Sequence, residues 1–382
     1  VSAMALAIGP VVGGFLTESV SWRAIFFLNL PVAIAAVLVT LYSTRESRDD
    51  TVEKVVDIPG IAALTAGLTA IVLALVEGNS WGWVSLPILG LFAFAAASLV
   101  AFVVIERRVR VPMVDFTFFR ERSFLGANLV AFVVTFSMLA MFFFIALYMQ
   151  NVLHYSPLEA GVRFLPSTAV IIVMGPISGR LSDRIGPRIP MVAGLVLAST
   201  ALFWQSFITT HTSYLFLLPA FILMGLGMGL VMSPMSTAAM NAVVKSKAGV
   251  ASGVLSMSRM VGGTFGVAVL GALIAVVGRS KLDQLLPAVP AAKRDALANA
   301  LGSGGAGVPA QVGDAVREAF VTALRNGLRL GAAVALLGAL LAAVLITGRP
   351  VESEDAVHAA VNAGESTTAG ELAEGELVGE TA

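Results

Sequence analysis

Charge and cysteine are the two features that this sequence has least of. Only 13% of its 382 residues are Asp, Glu, Lys or Arg, about half the share of a typical soluble domain, and none is cysteine. Without cysteine the chain forms no disulfide, no thiolate nucleophile and no Cys-based metal site. Its 24 basic and 24 acidic residues balance, so it lacks the positive surplus that nucleic-acid binding requires.

Histidine is also scarce. His154, His211 and His358 lie far apart and lack the i, i+4 spacing of a helical metal-binding pair. The sequence contains no P-loop, and its apolar runs contain no cluster of acids, histidines or Ser-Lys groups. We therefore expect no metal, no cofactor and no enzymatic activity.

Hydrophobic residues make up 57% of the chain, and they occur in long runs. A helix needs about 20 apolar residues to cross the ~30 Å hydrocarbon core of a bilayer. Ten runs follow one another, at 1–16, 24–42, 58–76, 84–105, 123–149, 158–179, 189–208, 214–240, 249–278 and 325–347. The sequence therefore predicts an all-α polytopic membrane protein with about ten transmembrane helices.

Two connectors carry residues that begin a helix. Ser156, Pro157 and Glu159 occupy the N-cap, first and third positions of a capping box. Asp57 followed by Pro59 marks a similar start for the third run.

The basic residues of the connectors favour one orientation in the membrane. One set of loops carries Arg45, Arg48, Lys54, Arg107, Arg108, Arg110, Arg120, Arg122, Arg180, Arg184, Arg188, Lys245 and Lys247. The opposite set carries only Arg23, Arg163, Arg279, Lys281, Lys293, Arg294 and Arg317, over more residues. We expect the first set to be cytoplasmic. The tail, 348–382, is rich in acids and predicts a disordered cytoplasmic segment.

Glycines in the later runs have the spacing of helix contacts. Gly249, Gly253, Gly262 and Gly266 recur along the run 249–278, where small residues let another helix approach closely. A second series, Gly225-x-Gly227-x-Gly229, lies within a continuous apolar helix and follows no strand, so it predicts packing instead of a phosphate site.

The opening segment combines small residues with a distinctive continuation. On spacing alone, its glycines and proline predict ordinary tight helix packing. The full series is Gly9, Pro10, Gly13 and Gly14, then Trp22, Arg23, Asn29 and Pro31. This series resembles the antiporter motif at the end of the fifth span of major facilitator superfamily drug exporters. It is most similar to the fourteen-span drug:proton antiporter family.

The rest of the chain follows the same resemblance. If the first run is span five, the chain carries spans five to fourteen of a major facilitator fold. The runs 58–76 and 84–105 lie where that family inserts an extra pair of helices, and Pro112–Phe124 is similar to its cytoplasmic entry to the second bundle. Because Val1 opens within an apolar run, we expect an N-terminal truncation, with spans missing or supplied by a partner chain.

The resemblance implies four regions. Residues 1–42 are the last two spans of the N-terminal bundle, and 43–122 are a linker with two extra transmembrane helices and a cytoplasmic segment. Residues 123–347 are the C-terminal six-helix bundle, and 348–382 are the acidic tail.

A second motif lies between two spans on the predicted cytoplasmic side. It comprises Gly179, Arg180, Asp183, Arg184, Gly186 and Arg188, and it is similar to the superfamily's gating loop, with Pro187 where a basic residue is common. Asp183 is placed to accept hydrogen bonds from a helix N-terminus, while the arginines pair with carboxylates across the gate. The alternative is that these arginines only set the topology.

Polar residues inside the apolar runs are candidates for a transport cavity, because burying a charge in the bilayer costs several kcal/mol. Arg259 is the only basic residue well inside a run, and its alternative role is to snorkel to the interface. Asn128, Asn241 and Gln205 are weaker candidates. No Asp or Glu lies near the middle of a run, and the resemblance places the proton-coupling acid in the first bundle.

The resemblance implies a secondary active transporter. We expect multidrug-type efflux of small hydrophobic or cationic compounds, driven by the proton gradient through alternating access. Its partners would be the small-molecule substrate and the lipid bilayer, and its location the bacterial cytoplasmic (inner) membrane, with the C-terminus in the cytoplasm. The alternative is a truncated, transport-inactive remnant or one half of a split transporter.

Overall fold

The computed structural model describes residues 2–43, 57–109, 114, 116–244, 247–301 and 309–347. Over these residues the chain forms helices only: α1 Ser2–Ser19, α2 Ala24–Ser43, α3 Ile58–Trp81, α4 Leu86–Glu106, a 3-10 turn Phe116–Arg120, α5 Arg122–Asn151, α6 Pro157–Arg163, α7 Leu165–Ile185, α8 Arg188–Gln205, α9 Tyr214–Asn241, α10 Ala248–Leu285, α11 Ala291–Ala300 and α12 Ala310–Leu345. In this part of the chain, nine helical segments are long and apolar enough to cross a membrane, with α6 and α7 counted as one. The predicted all-α polytopic fold is confirmed.

Both predicted helix starts are present. The Ser156 hydroxyl accepts the Glu159 N–H at 3.2 Å, and the Glu159 carboxylate accepts the Ser156 N–H at 3.0 Å, which completes the capping box. At the start of α3, Asp57 accepts the Gly60 N–H at 2.9 Å. These bonds satisfy N–H groups that the first turn of a helix leaves without a partner.

The span predicted at 158–179 is wrong in two respects. It is divided between α6 and α7 at Phe164, because Pro166 has no N–H to donate to the preceding turn. It also continues to Ile185, so the motif from Gly179 to Arg184 is helical and not a loop.

The last two spans extend well beyond their predicted bounds. The sequence predicts 249–278 and 325–347, but α10 runs to Leu285 and α12 begins at Ala310. At 38 residues, α10 is about 57 Å long, nearly twice the ~30 Å hydrocarbon core. The extension of α10 is charged. It pairs with α12 through Lys281–Glu318 at 3.2 Å, and with α11 through Arg279–Asp295 at 2.7 Å and Arg294–Asp283 at 2.8 Å.

Several sequence predictions concern residues that lie outside those described. They are Arg45, Arg48, Lys54, Arg110 and Lys245 of the predicted cytoplasmic loops, part of Pro112–Phe124, and the acidic tail 348–382.

Close helix contacts at glycine hold the core together. On α10, a Cβ added to Gly262 would lie 2.7 Å from the Phe132 Cα of α5, and one added to Gly266 would lie 2.8 Å from the Phe136 Cα. Gly249 and Gly253, predicted to share this contact, have no neighbouring atom within 4 Å of a Cβ. The glycine prediction is therefore right for one half of the run and wrong for the other.

The first four helices pack less than the rest. Helices α3 and α4 form a hairpin, and α3 lies against α10. Helix α1 lies against α6 and α7. Helix α2 contacts α1 and buries none of its residues.

The glycine contact gives a first prediction. We expect Gly266→Leu to lower the free energy of unfolding by about 1–3 kcal/mol, because the added side chain would overlap the α5 backbone. Gly253→Leu is the matched control on the same helix, since its Cβ position is open. The thermal stability of the two detergent-solubilised variants checks this, and equal stability would contradict the packing.

Candidate functional site

Arg259 of α10 reaches across to α9. Its Nη2 donates a hydrogen bond to the Ser236 hydroxyl at 3.0 Å. That hydroxyl donates its own proton to the Met232 carbonyl at 3.3 Å, so its oxygen is available as an acceptor. The guanidinium is only partly buried, yet its Nε–H is shielded from solvent and has no hydrogen-bond partner among the described residues.

The neighbouring residue ties α10 to α5. Ser258 donates to the Asn128 Oδ1 at 2.9 Å, and the Asn128 Nδ2 donates to the Phe124 carbonyl at 2.9 Å. Asn128 is 4% exposed and its amide is bonded on both sides. Two hydrogen-bonded pairs, Asn128–Ser258 and Ser236–Arg259, thus join α10 to α5 and to α9 at consecutive residues of α10, and we name these four residues the Arg259 cluster.

The cluster lies toward the end of the bundle at which α5 and α10 begin and α9 ends. At 1.5 Å per residue, Asn128 is about 9 Å from the start of α5, Ser236 about 8 Å from the end of α9 and Arg259 about 16 Å from the start of α10. These three helix ends lie on the same side, because α9 and α10 are joined there by a short connection.

The structure brings together only part of the predicted cavity. Asn128 bonds Ser258, the residue next to Arg259 on α10, but Arg259 itself bonds Ser236, and Asn241 is exposed at the last residue of α9, beyond the cluster. Gln205 is completely buried at the far end of α8, and neither polar atom of its side chain has a partner among the described residues. Sequence reasoning missed Ser236 and Ser258, since serines within helices usually bond their own backbone and give no distinct signal.

The predicted gating motif begins in the last turns of α7, at Gly179, and ends at Arg188, the first residue of α8. Gly186 has a φ of 82°, where glycine carries no steric penalty, and its N–H bonds the Ser182 carbonyl at 2.9 Å. Gly179 faces α9, where its added Cβ would lie 3.1 Å from the Ser233 hydroxyl. The two glycines thus position the turn and the adjoining helix.

The charged residues of that motif have a different environment. Arg180, Asp183, Arg184 and Arg188 are all exposed. The ion pairs that join two described residues lie at the other end of the molecule, on the end of α10, on α11 and on the start of α12. Within the part of the chain that the structure describes, Asp183 makes no contact with a helix N-terminus, and its gating role stays a prediction.

The first part of the antiporter motif packs α1 on α6. A Cβ on Gly14 would lie 2.6 Å from the Pro157 carbonyl oxygen, and Gly161 of α6 faces the Pro10 carbonyl in return. Gly9 and Gly13 have no atom within 4 Å of an added Cβ. Of the small residues in this part, Gly14 and Pro10 form the contact.

The rest of that motif makes local contacts. The Arg23 guanidinium lies 5.1 Å from the centre of the Trp22 ring in the turn before α2. Asn29 and Pro31 are exposed residues of α2. A bond outside the motif completes the α1 contact, since the Glu18 carboxylate accepts the Leu158 N–H at 3.1 Å.

Two apolar grooves lie side by side between α3 and α10. One has a volume of about 650 Å³ and also reaches Phe143 and Phe144 of α5. The other has a volume of about 410 Å³, and the two share Val72, Val76 and Thr264 in their walls. These features define a multi-pass membrane protein with openings of small-molecule size between its helices.

The chain belongs to the Major Facilitator Superfamily, whose family model matches residues 1–267. It is 32% identical over 362 residues to the tetracenomycin C resistance and export protein of Streptomyces glaucescens, covering 91% of this chain and 67% of that protein. It is 34% identical over 275 residues to the multidrug resistance protein Stp of Mycobacterium tuberculosis, covering 72% and 51%. The multidrug transporter protein MdtP of Bacillus subtilis is 32% identical over 286 residues, covering 74% and 53%.

A solved structure has a similar fold. A bacterial homologue of the human lysosomal transporter Spinster, in an inward-facing and occupied conformation, matches 89% of this chain and 80% of its own, with 17% identity and a TM-score of 0.50. The predicted membership of the superfamily's drug-efflux proteins is confirmed, and the protein is a membrane transporter, not an enzyme. The chain spans about two thirds of the first relative and about half of the other two.

The α1 contact gives a second prediction. In a Glu18→Cys/Leu158→Cys variant, a short bifunctional thiol reagent should cross-link α1 to α6, and the absence of other cysteines leaves no competing site. We expect Gly14→Leu to reduce this cross-linking severalfold, because its side chain would overlap the α6 backbone, while Gly13→Leu leaves it unchanged. Gel mobility reports the yield, and equal yields in the two variants would contradict the contact.

Proposed function

We propose that this protein exports small hydrophobic or cationic compounds by alternating access, driven by the proton gradient across a bacterial cytoplasmic membrane. The observation that carries the proposal is the family match over residues 1–267, together with relatives named for drug resistance and export. Those names favour an exporter over the alternative of a transport-inactive remnant. The expectation that further spans, in this chain or in a partner chain, complete the first bundle stays a prediction.

The contacts of α6 and α7 support an alternating mechanism. At the start of α6, α1 is seated through Gly14 and Gly161 and is tied by the Glu18 carboxylate. About 43 Å away, at the end of α7, the charges of the gating motif are exposed and form no ion pair with another described residue. We infer that the first end is closed here and the second open, and that Asp183 and its neighbouring arginines pair when the second end closes.

The free energy of pairing Asp183 with the arginines suits a switch between two conformations. A hydrogen bond to a charged group contributes about 1.5–3 kcal/mol, which changes the ratio of two conformations about ten- to a hundredfold. Contacts of this strength bias the two arrangements without locking either one. The orientation expected from the basic loops places the open end, with its C-terminal tail, in the cytoplasm.

The walls of the described spans fit apolar compounds best. The grooves between α3 and α10 are lined mainly by aliphatic and aromatic side chains. No described helix carries an acidic residue in the middle of its membrane span, so a cationic substrate and the coupling proton both require a carboxylate from elsewhere in the transporter.

A third prediction tests the gate. We expect Asp183→Asn in the complete transporter to lower the initial efflux rate at least tenfold, because the amide cannot pair with the arginines in the closed arrangement. Asp314→Asn is the control, since it removes the same charge from an exposed position at the opposite end. Ethidium uptake into everted vesicles, whose outer face is the cytoplasmic one, measures the export rate, and a normal rate for the Asp183 variant would contradict the gating role.

A fourth prediction tests the energy source. In proteoliposomes, an imposed pH gradient should drive transport of ethidium, a cation, and of N-phenyl-1-naphthylamine, a neutral hydrophobic compound. A protonophore should abolish transport and ATP should have no effect, because the sequence contains no P-loop. ATP-dependent transport that survives the protonophore would refute the proposal.

A further inference from the structure

Arg259 is a cation with no acidic residue near it on the three helices that surround it. Helices α5 and α9 carry no Asp or Glu, and α10 carries none before Asp283. The hydrogen-bond partner of the guanidinium is the neutral hydroxyl of Ser236. A charge within a membrane span costs several kcal/mol and is placed there mainly for pairing or function.

Arg259 is held inside the protein instead of reaching to the membrane surface. Its Nη2 is bonded to α9, and its Nε–H is buried without a partner among the described residues. A side chain that snorkels would direct both groups toward water. A buried donor that lacks an acceptor costs about 1–3 kcal/mol, which an incoming acceptor would recover.

The surroundings also fix where the guanidinium lies. The Ser258 bond to Asn128 and the approach of Gly262 to Phe132 hold α10 against α5 on either side of residue 259. The rotation of α10 is therefore set, and Arg259 is directed toward α9. A guanidinium in fixed orientation presents a planar pair of donors that matches the two oxygens of a carboxylate.

We propose that the Arg259 cluster binds a carboxylate carried by the exported compound. This inference rests on the proposed function and narrows its substrate class to hydrophobic compounds that bear an acidic group. The ionised acid would accept hydrogen bonds from the guanidinium, while its apolar body would lie among the apolar walls of the spans. The same chemistry is available from a carboxylate of the transporter itself, and the experiment below separates the two sources.

The test uses one fluorescent body with and without the acid. Binding of 1-pyrenebutyrate and of its neutral methyl ester is measured on the complete transporter in lipid nanodiscs, with empty nanodiscs as the background. We expect the wild type to bind the acid at least tenfold more tightly than the ester. Arg259→Gln should abolish that preference, and Arg259→Lys, which retains the charge but not the planar donor pair, should restore it in part.

A control variant and a stability measurement distinguish loss of the Arg259 site from loss of any positive charge and from misfolding. Arg329→Gln removes an exposed arginine of α12 and should leave the preference intact. Thermal stability identifies any variant that fails to fold, and the lysine variant keeps the proposal testable in that case. The proposal is overturned if Arg259→Gln binds the acid as the wild type does, or if it weakens acid and ester equally at every pH.

The pH profile identifies the source of the carboxylate. Selective loss of acid binding assigns the carboxylate to the substrate. Equal loss of acid and ester binding, together with a shifted pH profile of efflux, assigns it to the transporter and overturns the substrate source. Failure of proton-driven efflux with the acid preference intact would instead refute the proposed function and leave the binding site standing.

Discussion

Close backbone contact between helices is the constraint on which the rest of this transporter depends. Lipid removes the hydrophobic drive for helix association, so dispersion contacts and a few hydrogen bonds must hold the bundle. Glycine makes these contacts possible, as where Gly194 of α8 and Gly227 of α9 each lie against the other's helix and leave no room for a side chain. Glycine surfaces of this type occur both between α5 and α10 and between α1 and α6.

The α5–α10 contact and the α1–α6 contact differ in the hydrogen bonds that accompany their glycines. Between α5 and α10, the glycine contacts are joined by the Ser258 bond to Asn128, which is buried and directional. Between α1 and α6, the accompanying bond from Glu18 to the Leu158 N–H is exposed, where water replaces it at little cost. A bundle that holds firmly within itself and loosely against α1 has the mechanical properties that alternating access requires.

The sequence predicts most of this architecture for identifiable reasons. Apolar runs and local caps depend on nearby residues, and the Ser156 capping box and the start of α3 were predicted correctly. The prediction failed for both local and distant reasons. Pro166 divides the span predicted at 158–179. The extensions of α10 and α12 are too charged to be predicted as spans, and an ion pair joins the two helices there. Likewise, only the tertiary structure brings Ser236 to Arg259.

The charges of the gating motif and the charge of Arg259 differ in what it costs to leave them unpaired. Those of the gating motif lie in water, where an unpaired charge costs little, so they are free to pair in one arrangement and separate in the other. Arg259 lies where an unpartnered donor is expensive, and its buried Nε–H has no hydrogen-bond partner among the described residues. A site that lacks an anion therefore favours the arrangement in which water reaches the guanidinium, and an anion that binds there removes this restriction. Under the proposed mechanism, one cation within the bundle and several at its end would link the binding of an anion to the position of the gate.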